Sequence, residues 1–149
     1  MLGRTHIVVA LFISLLFLVF FSLNNPFLFA FLVVVGSLFP DIDRSSSILG
    51  RKVKFVSWFF SHRGFFHSFY AMILVSLVIY AIFSLVFAFA FLVGFFSHLV
   101  LDSFTKMGVS FFVVDKKVKG RFVAGGLFDT LLFFIFFLVD IYLLIVISL

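Results

Sequence analysis

From Gly64 to Thr105 the chain carries no lysine, arginine or glutamate, and nearly every residue in that stretch is apolar. Such a run is too long for a buried strand or an ordinary core helix. It is long enough to cross a bilayer about twice, since about 30 Å of hydrocarbon takes roughly 20 apolar residues at 1.5 Å each. Two further runs precede it and one comes after it. The chain is 65% hydrophobic and 11% charged, whereas globular domains are roughly 45–50% apolar and about 25% charged. A water-soluble fold of 149 residues has no interior large enough to hide this much apolar side chain. Lipid must cover it, and backbone groups in lipid must pair within their own segment, so the expected fold is all-α. With no cysteine in the sequence, disulfides, thiolate metal sites and a cysteine nucleophile are all excluded.

The first expected span runs from His6 to Leu23 and stops at the turn signal Asn24-Asn25-Pro26. Ser22-Leu23-Asn24 is a poor cleavage site and the apolar run is long, so this segment reads as a span rather than a removed signal peptide. The second span, Pro26 to Phe39, is short and is closed by Pro40. A polar loop from Asp41 to Lys54 comes next, and then an interfacial segment, Phe55 to Ser61, containing Trp58. The long run must turn back on itself, and Ile82 to Leu85 is the expected turn. Lys106 to Arg121 forms a basic loop, and the last span runs from about Leu127 to Ser148. The whole chain, 1–149, reads as one integral-membrane domain: a multi-pass helical bundle of five spans, with four as the alternative count.

With five spans, all 11 Lys and Arg residues, from Arg4 to Arg121, fall on one side. Positive loops stay in the cytoplasm, which places the N-terminus and the long loops there, with the chain in the plasma or inner membrane. The net charge of +5 is therefore a matter of membrane topology, and direct nucleic-acid binding is not expected.

The following titratable residues fall at the same end of their spans. His6 opens the first; Asp41 and Asp43 come just after the second; His62, Arg63 and His67 flank the start of the third. His98 and Asp102 close the fourth, and Asp129 stands near the start of the fifth. Polar residues favour helix ends in any membrane protein, so it is the local spacings that carry the chemistry. His98 and Asp102 are i,i+4, share a helix face and can ligate one metal. Asp41 and Asp43 are expected on alternate sides of an extended loop after Pro40. Gly64 permits a break that turns His62 and His67 to one point. Imidazole and carboxylate together suit zinc first, or manganese or iron. Ionisable groups at a membrane boundary are costly to bury and point to a functional site.

The motifs Thr5-His6, Phe39-Pro40-Asp41-Ile42-Asp43, His62-Arg63-Gly64-x-x-His67-Ser68 and His98-x-x-x-Asp102-Ser103-Phe104-Thr105-x-x-Gly108 resemble the YdjM family. Its members are described as LexA-binding, inner-membrane-associated, metal-dependent hydrolases. The resemblance covers roughly residues 4 to 130. The order of ligand types is also similar to the zinc-dependent phospholipase C and P1-nuclease superfamily, whose clustered zinc ions hydrolyse phosphoesters. The resemblance implies that Asp41 or Asp43, His62 or His67, His98 and Asp102 hold one divalent metal, with Asp102 bridging to a second ion also held by His6. The later histidines and the second His-x-x-x-Asp helix of the soluble superfamily are absent, so one or two ions are expected. Where the family often carries a Glu near the start of the last span, this chain has Asp129.

The chemistry that fits these residues is metal-assisted hydrolysis, in which a bound metal lowers the pKa of water to about 7. Asp43 is the expected proton acceptor. Arg63, a planar donor fork, and Lys106 are the expected contacts to a substrate phosphate. A site at headgroup level beside Lys116-Lys117-Val118-Lys119-Gly120-Arg121 suits an anionic lipid headgroup. The same loop also serves simply as a topology signal. Two other classes fit the pattern: a binding protein with a structural metal that recruits a cytoplasmic regulator, and a small ion transporter using Asp140 with the His/Asp set. An open metal position favours the enzyme, a closed shell the structural role, and a polar tunnel past Asp140 transport.

Overall fold

The computed structural model describes residues 1–45, 47, 48, 50–53, 64–112 and 117–149. Among these residues the chain forms five α-helices: α1 (Gly3–Phe20), α2 (Pro26–Leu38), α3 (Phe69–Ile82), α4 (Leu85–Ser103) and α5 (Leu127–Ser148). Two 3₁₀ turns, Phe39–Asp43 and Phe65–His67, lie between α2 and α3. No strand occurs among the described residues, only isolated bridges joining Thr105 to Phe122 and Val109 to Val118 in the loop after α4.

The helix limits arise from local chemistry. Pro26 opens α2, where its missing N–H and fixed φ suit a first turn. The Ser68 side chain caps α3 by accepting from the Ala71 N–H. Phe83 and Ser84 make the turn between α3 and α4, inside the interval expected from the sequence. Among the described residues, four segments are long and apolar enough to cross a membrane: Gly3–Phe20, Pro26–Asp43, Leu85–Ser103 and Leu127–Ser148. The second reaches that length only by continuing through its 3₁₀ turn. Helix α3 has 14 residues, which gives about 21 Å, less than the hydrocarbon thickness.

Helices α2 and α4 form the central pair, with α1 against α2 and α5, and α3 against α4. Glycine sets how closely the central pair can approach. A Cβ on Gly94 would lie 1.9 Å from the Val33 carbonyl oxygen, and one on Gly36 would lie 2.3 Å from that of Phe91. Small residues at such crossings let backbones meet in lipid, where dispersion contacts replace a hydrophobic driving force. Phe29, Val33 and Ala90 pack beside this crossing with Ala10 of α1. Phe91, Phe95 and Leu99 fill the space toward α3. Most of α5 faces outward, with Leu127, Phe134, Leu138 and Tyr142 more than half exposed, as lipid contact requires.

Candidate metal centre

The α2–α4 crossing positions the first ligand. One turn beyond Gly94, His98 places Nδ1 2.6 Å from the Ser37 carbonyl oxygen. A carbonyl only accepts, so Nδ1–H donates, and in the neutral ring the lone pair is on Nε2. That Nε2 lies 3.8 Å from Asp102 Oδ2 on the same face of α4.

The start of α1 brings the second histidine. The His6 ring stacks on His98 with centroids 3.9 Å apart, and its Nε2 lies 3.4 Å from Asp102 Oδ1. The Met1 ammonium also donates to Asp102 Oδ1. Asp129 holds this end of α1 in place. It accepts from Thr5 Oγ1 at 2.5 Å, the Leu2 N–H at 3.0 Å and the Gly125 N–H at 2.7 Å. Asp129 thus joins α5 to α1 and is not itself among the candidate metal ligands.

The third histidine comes from the second 3₁₀ turn. His67 Nε2 lies 3.6 Å from Asp41 Oδ1, and Nδ1 lies 3.5 Å from Asp43 Oδ2. The extended loop expected for Asp41-Ile42-Asp43 is corrected here. The segment is a 3₁₀ turn continuing from α2, because Pro40 falls at its first positions, where no N–H is needed. The tight turn puts the two carboxylates on opposite sides of the His67 ring. Burial disfavours a charged His67, but hydrogen bonding and charge from Asp41 and Asp43 outweigh it and hold its pKa above the ordinary value.

Among the described residues two groups result: His6, His98 and Asp102, and Asp41, His67 and His98. In each group the ligand atoms lie within 4.8 Å of one another. Tetrahedral zinc with bonds of about 2.1 Å spaces its donors about 3.4 Å apart, close to the His–Asp separations above. Both ring nitrogens of His6 and Nε2 of His98 have no hydrogen-bond partner among the described residues. Buried polar atoms left in that state are costly, and a metal ion satisfies them. The donor set therefore fits a borderline divalent cation.

The remaining sequence candidates are outside the described residues or outside these two groups. His62 and Arg63 fall outside the described residues, as do Lys54, Trp58 and Lys116. Lys106 is exposed at the head of the loop after α4 and belongs to neither group. Asp140 is buried in α5, eleven residues and about 16 Å beyond Asp129. Sequence reasoning missed the Ser37 carbonyl, the Thr5–Asp129 bond and the Met1 contact. The first two depend on which helices touch, and only Thr5 had any sequence signal, through its place beside His6 in the Thr5-His6 motif.

Comparison with known proteins agrees with this architecture. The profile of the YdjM inner membrane protein family matches residues 1–147. The chain is 34% identical over 118 residues to Uncharacterized protein YvsG of Bacillus subtilis (strain 168), covering 73% of this chain and 71% of that protein. No solved structure matches. The chain belongs to the YdjM inner membrane protein family.

Proposed function

We propose that this chain is a membrane-embedded, metal-dependent hydrolase of phosphoesters, acting on an anionic lipid headgroup at the cytoplasmic face of the inner membrane. The observation that carries the reading is the pair of His/Asp groups sharing His98, assembled from α1, α4 and both 3₁₀ turns and almost fully buried. A purely structural role for so many ionisable side chains would leave ring nitrogens unsatisfied at high cost. Zinc is the ion that best matches these nitrogen and oxygen donors, with manganese and iron as alternatives.

A bound divalent metal supplies Lewis acidity toward a phosphoryl oxygen and lowers the pKa of water toward about 7. The chain's own residues do the rest. His98, locked by Ser37, and Asp102 present a fixed ligand face. Asp43 is fully buried against His67 Nδ1, so in this reading it orients that ring rather than accepting the substrate proton. The cations that flank the helices, among them Arg4, Arg44, Lys106 and Arg121, support a cytoplasmic location for this end of the bundle.

The test is metal content of the detergent-purified protein by plasma mass spectrometry, together with phosphate release from lipid and soluble phosphoesters. One or two equivalents of zinc, lost in His98→Ala and Asp102→Ala along with turnover, supports the reading. A wild-type protein that stays free of metal after reconstitution with zinc, manganese and iron overturns it.

A further inference from the structure

Among the described residues, the metal ligands reach the outside through one side chain. His6, His67 and His98 are fully buried and Asp102 nearly so, whereas the Asp41 side chain keeps 13% of its surface exposed. Asp41 opens into a cavity of about 300 Å³ between the start of α1 and the residues after α2. Three arginines line it, Arg4, Arg44 and Arg51, beside the apolar Leu38 and Ile48. Among the described residues Asp41 is its single acid.

The cationic wall is built onto the ligand-bearing segment. Ser47 Oγ donates to the Asp41 carbonyl at 2.6 Å and accepts from the Gly50 N–H at 2.8 Å. The turn is closed further by Ser47 N–H to Arg44 O at 2.9 Å and Arg51 N–H to Ser47 O at 3.2 Å. Gly50 is required for it, since a Cβ there would lie 2.0 Å from the Arg44 carbonyl oxygen. Arg51 Nε donates to Ser47 O at 3.2 Å, and Arg4 lies over the Phe133 ring at 5.1 Å. The first contact restrains Arg51 on the turn that borders the cavity, and the second sets the Arg4 cation against an aromatic face.

We propose that this cavity is the phosphate-binding mouth of the site. Arg4, Arg44 and Arg51 hold the phosphoryl group of an amphiphilic substrate, and Leu38 and Ile48 meet its apolar part. Planar forks bind phosphate oxygens in pairs, which an ammonium cannot do. The assignment replaces the sequence expectation for Lys106, which does not line the cavity. It rests on the hydrolase reading for the chemical step after binding, while binding itself is measurable without turnover.

The experiment is calorimetric titration of the full-length protein in detergent, zinc-loaded, with dihexanoyl phosphatidic acid, glycerol phosphate and neutral dihexanoyl glycerol. Thermal unfolding of each variant checks that it is folded. The expected result is binding of the phosphatidic acid, weakened at least about tenfold in Arg44→Gln/Arg51→Gln, with metal content unchanged. Lys52→Gln removes a neighbouring cation outside the lining and is expected to bind like wild type. Equal affinity for glycerol phosphate supports the phosphate mouth with a soluble ester as the source. Binding of dihexanoyl glycerol as tight as that of phosphatidic acid overturns the proposal, as does an arginine double variant no weaker than Lys52→Gln. Arginine-dependent binding with no turnover of any ester sustains the mouth and sinks the hydrolase. Turnover lost in His98→Ala but with unchanged kcat/KM in the arginine variant does the reverse.

Discussion

The imidazole rings of His6 and His98 stack face to face, with centroids 3.9 Å apart and planes 13° from parallel. Stacking joins the start of α1 to the end of α4 and leaves the ring edges to do the ligating. Both Nε2 atoms reach the Asp102 carboxylate, one at each oxygen. One Nε2 lone pair serves one ion, and both ligand groups include His98, so a metal in either group depends on this ring.

His98→Ala is therefore expected to remove all bound metal, because both ligand groups need it. His6→Ala and His67→Ala each damage one group only, and each is expected to retain part of the wild-type content. Plasma mass spectrometry on the three variants decides the matter. Equal and complete loss in all three would mean that the two groups act as a single shell.

The α2–α4 crossing sets the Ser37–His98 bond, so packing far from the ligands must affect them. Gly94→Ala forces the helices apart, since its Cβ has no room beside the Val33 carbonyl. Overpacking of this kind costs typically about 1–3 kcal/mol. A lower midpoint of thermal unfolding and weaker zinc retention are expected together. An unchanged midpoint would show that the crossing relaxes freely.

The spans were legible because lipid imposes a length and a composition on each of them, and the turn at Phe83 and Ser84 was bounded by the same arithmetic. The i,i+4 pair of His98 and Asp102 was legible because helical periodicity alone puts both on one face. The pairing of Asp41 and Asp43 around one ring was not, since it depends on a 3₁₀ turn where an extended segment fits the same letters. The Ser37 carbonyl left no trace, because a backbone acceptor looks alike at every residue. The three arginines of the cavity were visible only as topology signals until the turn closed by Ser47 and Gly50 gathered two of them beside Asp41.

The raised pKa of His67 fixes the sign of two pH effects. Without metal, a group whose folded pKa lies above its unfolded value of about 6.5 contributes stability that is full below 6.5. That stability is lost as pH rises through the folded value. Metal-free protein is thus expected to become less stable as pH rises above neutrality. Zinc competes with the proton on the same ring, so zinc binding is expected to strengthen over that range and reverse the slope. Thermal unfolding against pH, with chelator and with zinc, measures both. A chelated protein whose stability climbs with pH through this window would rule out the assigned protonation.

Asp140 lies about two-thirds of the way along α5, and neither of its carboxylate oxygens has a hydrogen-bond partner among the described residues. Burying an unpaired polar group costs roughly 1–3 kcal/mol in proteins. Asp140→Leu is expected to raise the unfolding midpoint while metal content stays at the wild-type level. A lower midpoint would instead identify a partner for the carboxyl, and a second copy or a permeating ion would then have to be sought.

Asp129 is the fixed point for the end of α1 that carries His6. Its carboxylate accepts three hydrogen bonds, from Thr5, Leu2 and Gly125, and it is 1% exposed. Hydrogen bonds to a charged acceptor contribute roughly 1.5–3 kcal/mol each when buried, and their sum is not additive. Asp129→Ala leaves three donors stranded and is expected to cost about 3 kcal/mol, whereas Thr5→Val removes one donor and should cost about half of that. Because Thr5 immediately precedes His6, both variants should weaken zinc binding more than Asp140→Leu does, in the same order as their loss of stability. Zinc titration followed by thermal unfolding reads both quantities on one sample. If Asp129→Ala lowers stability but binds zinc like wild type, the clamp holds the helix without positioning the ligand, and His6 must be fixed by its stacking on His98 alone.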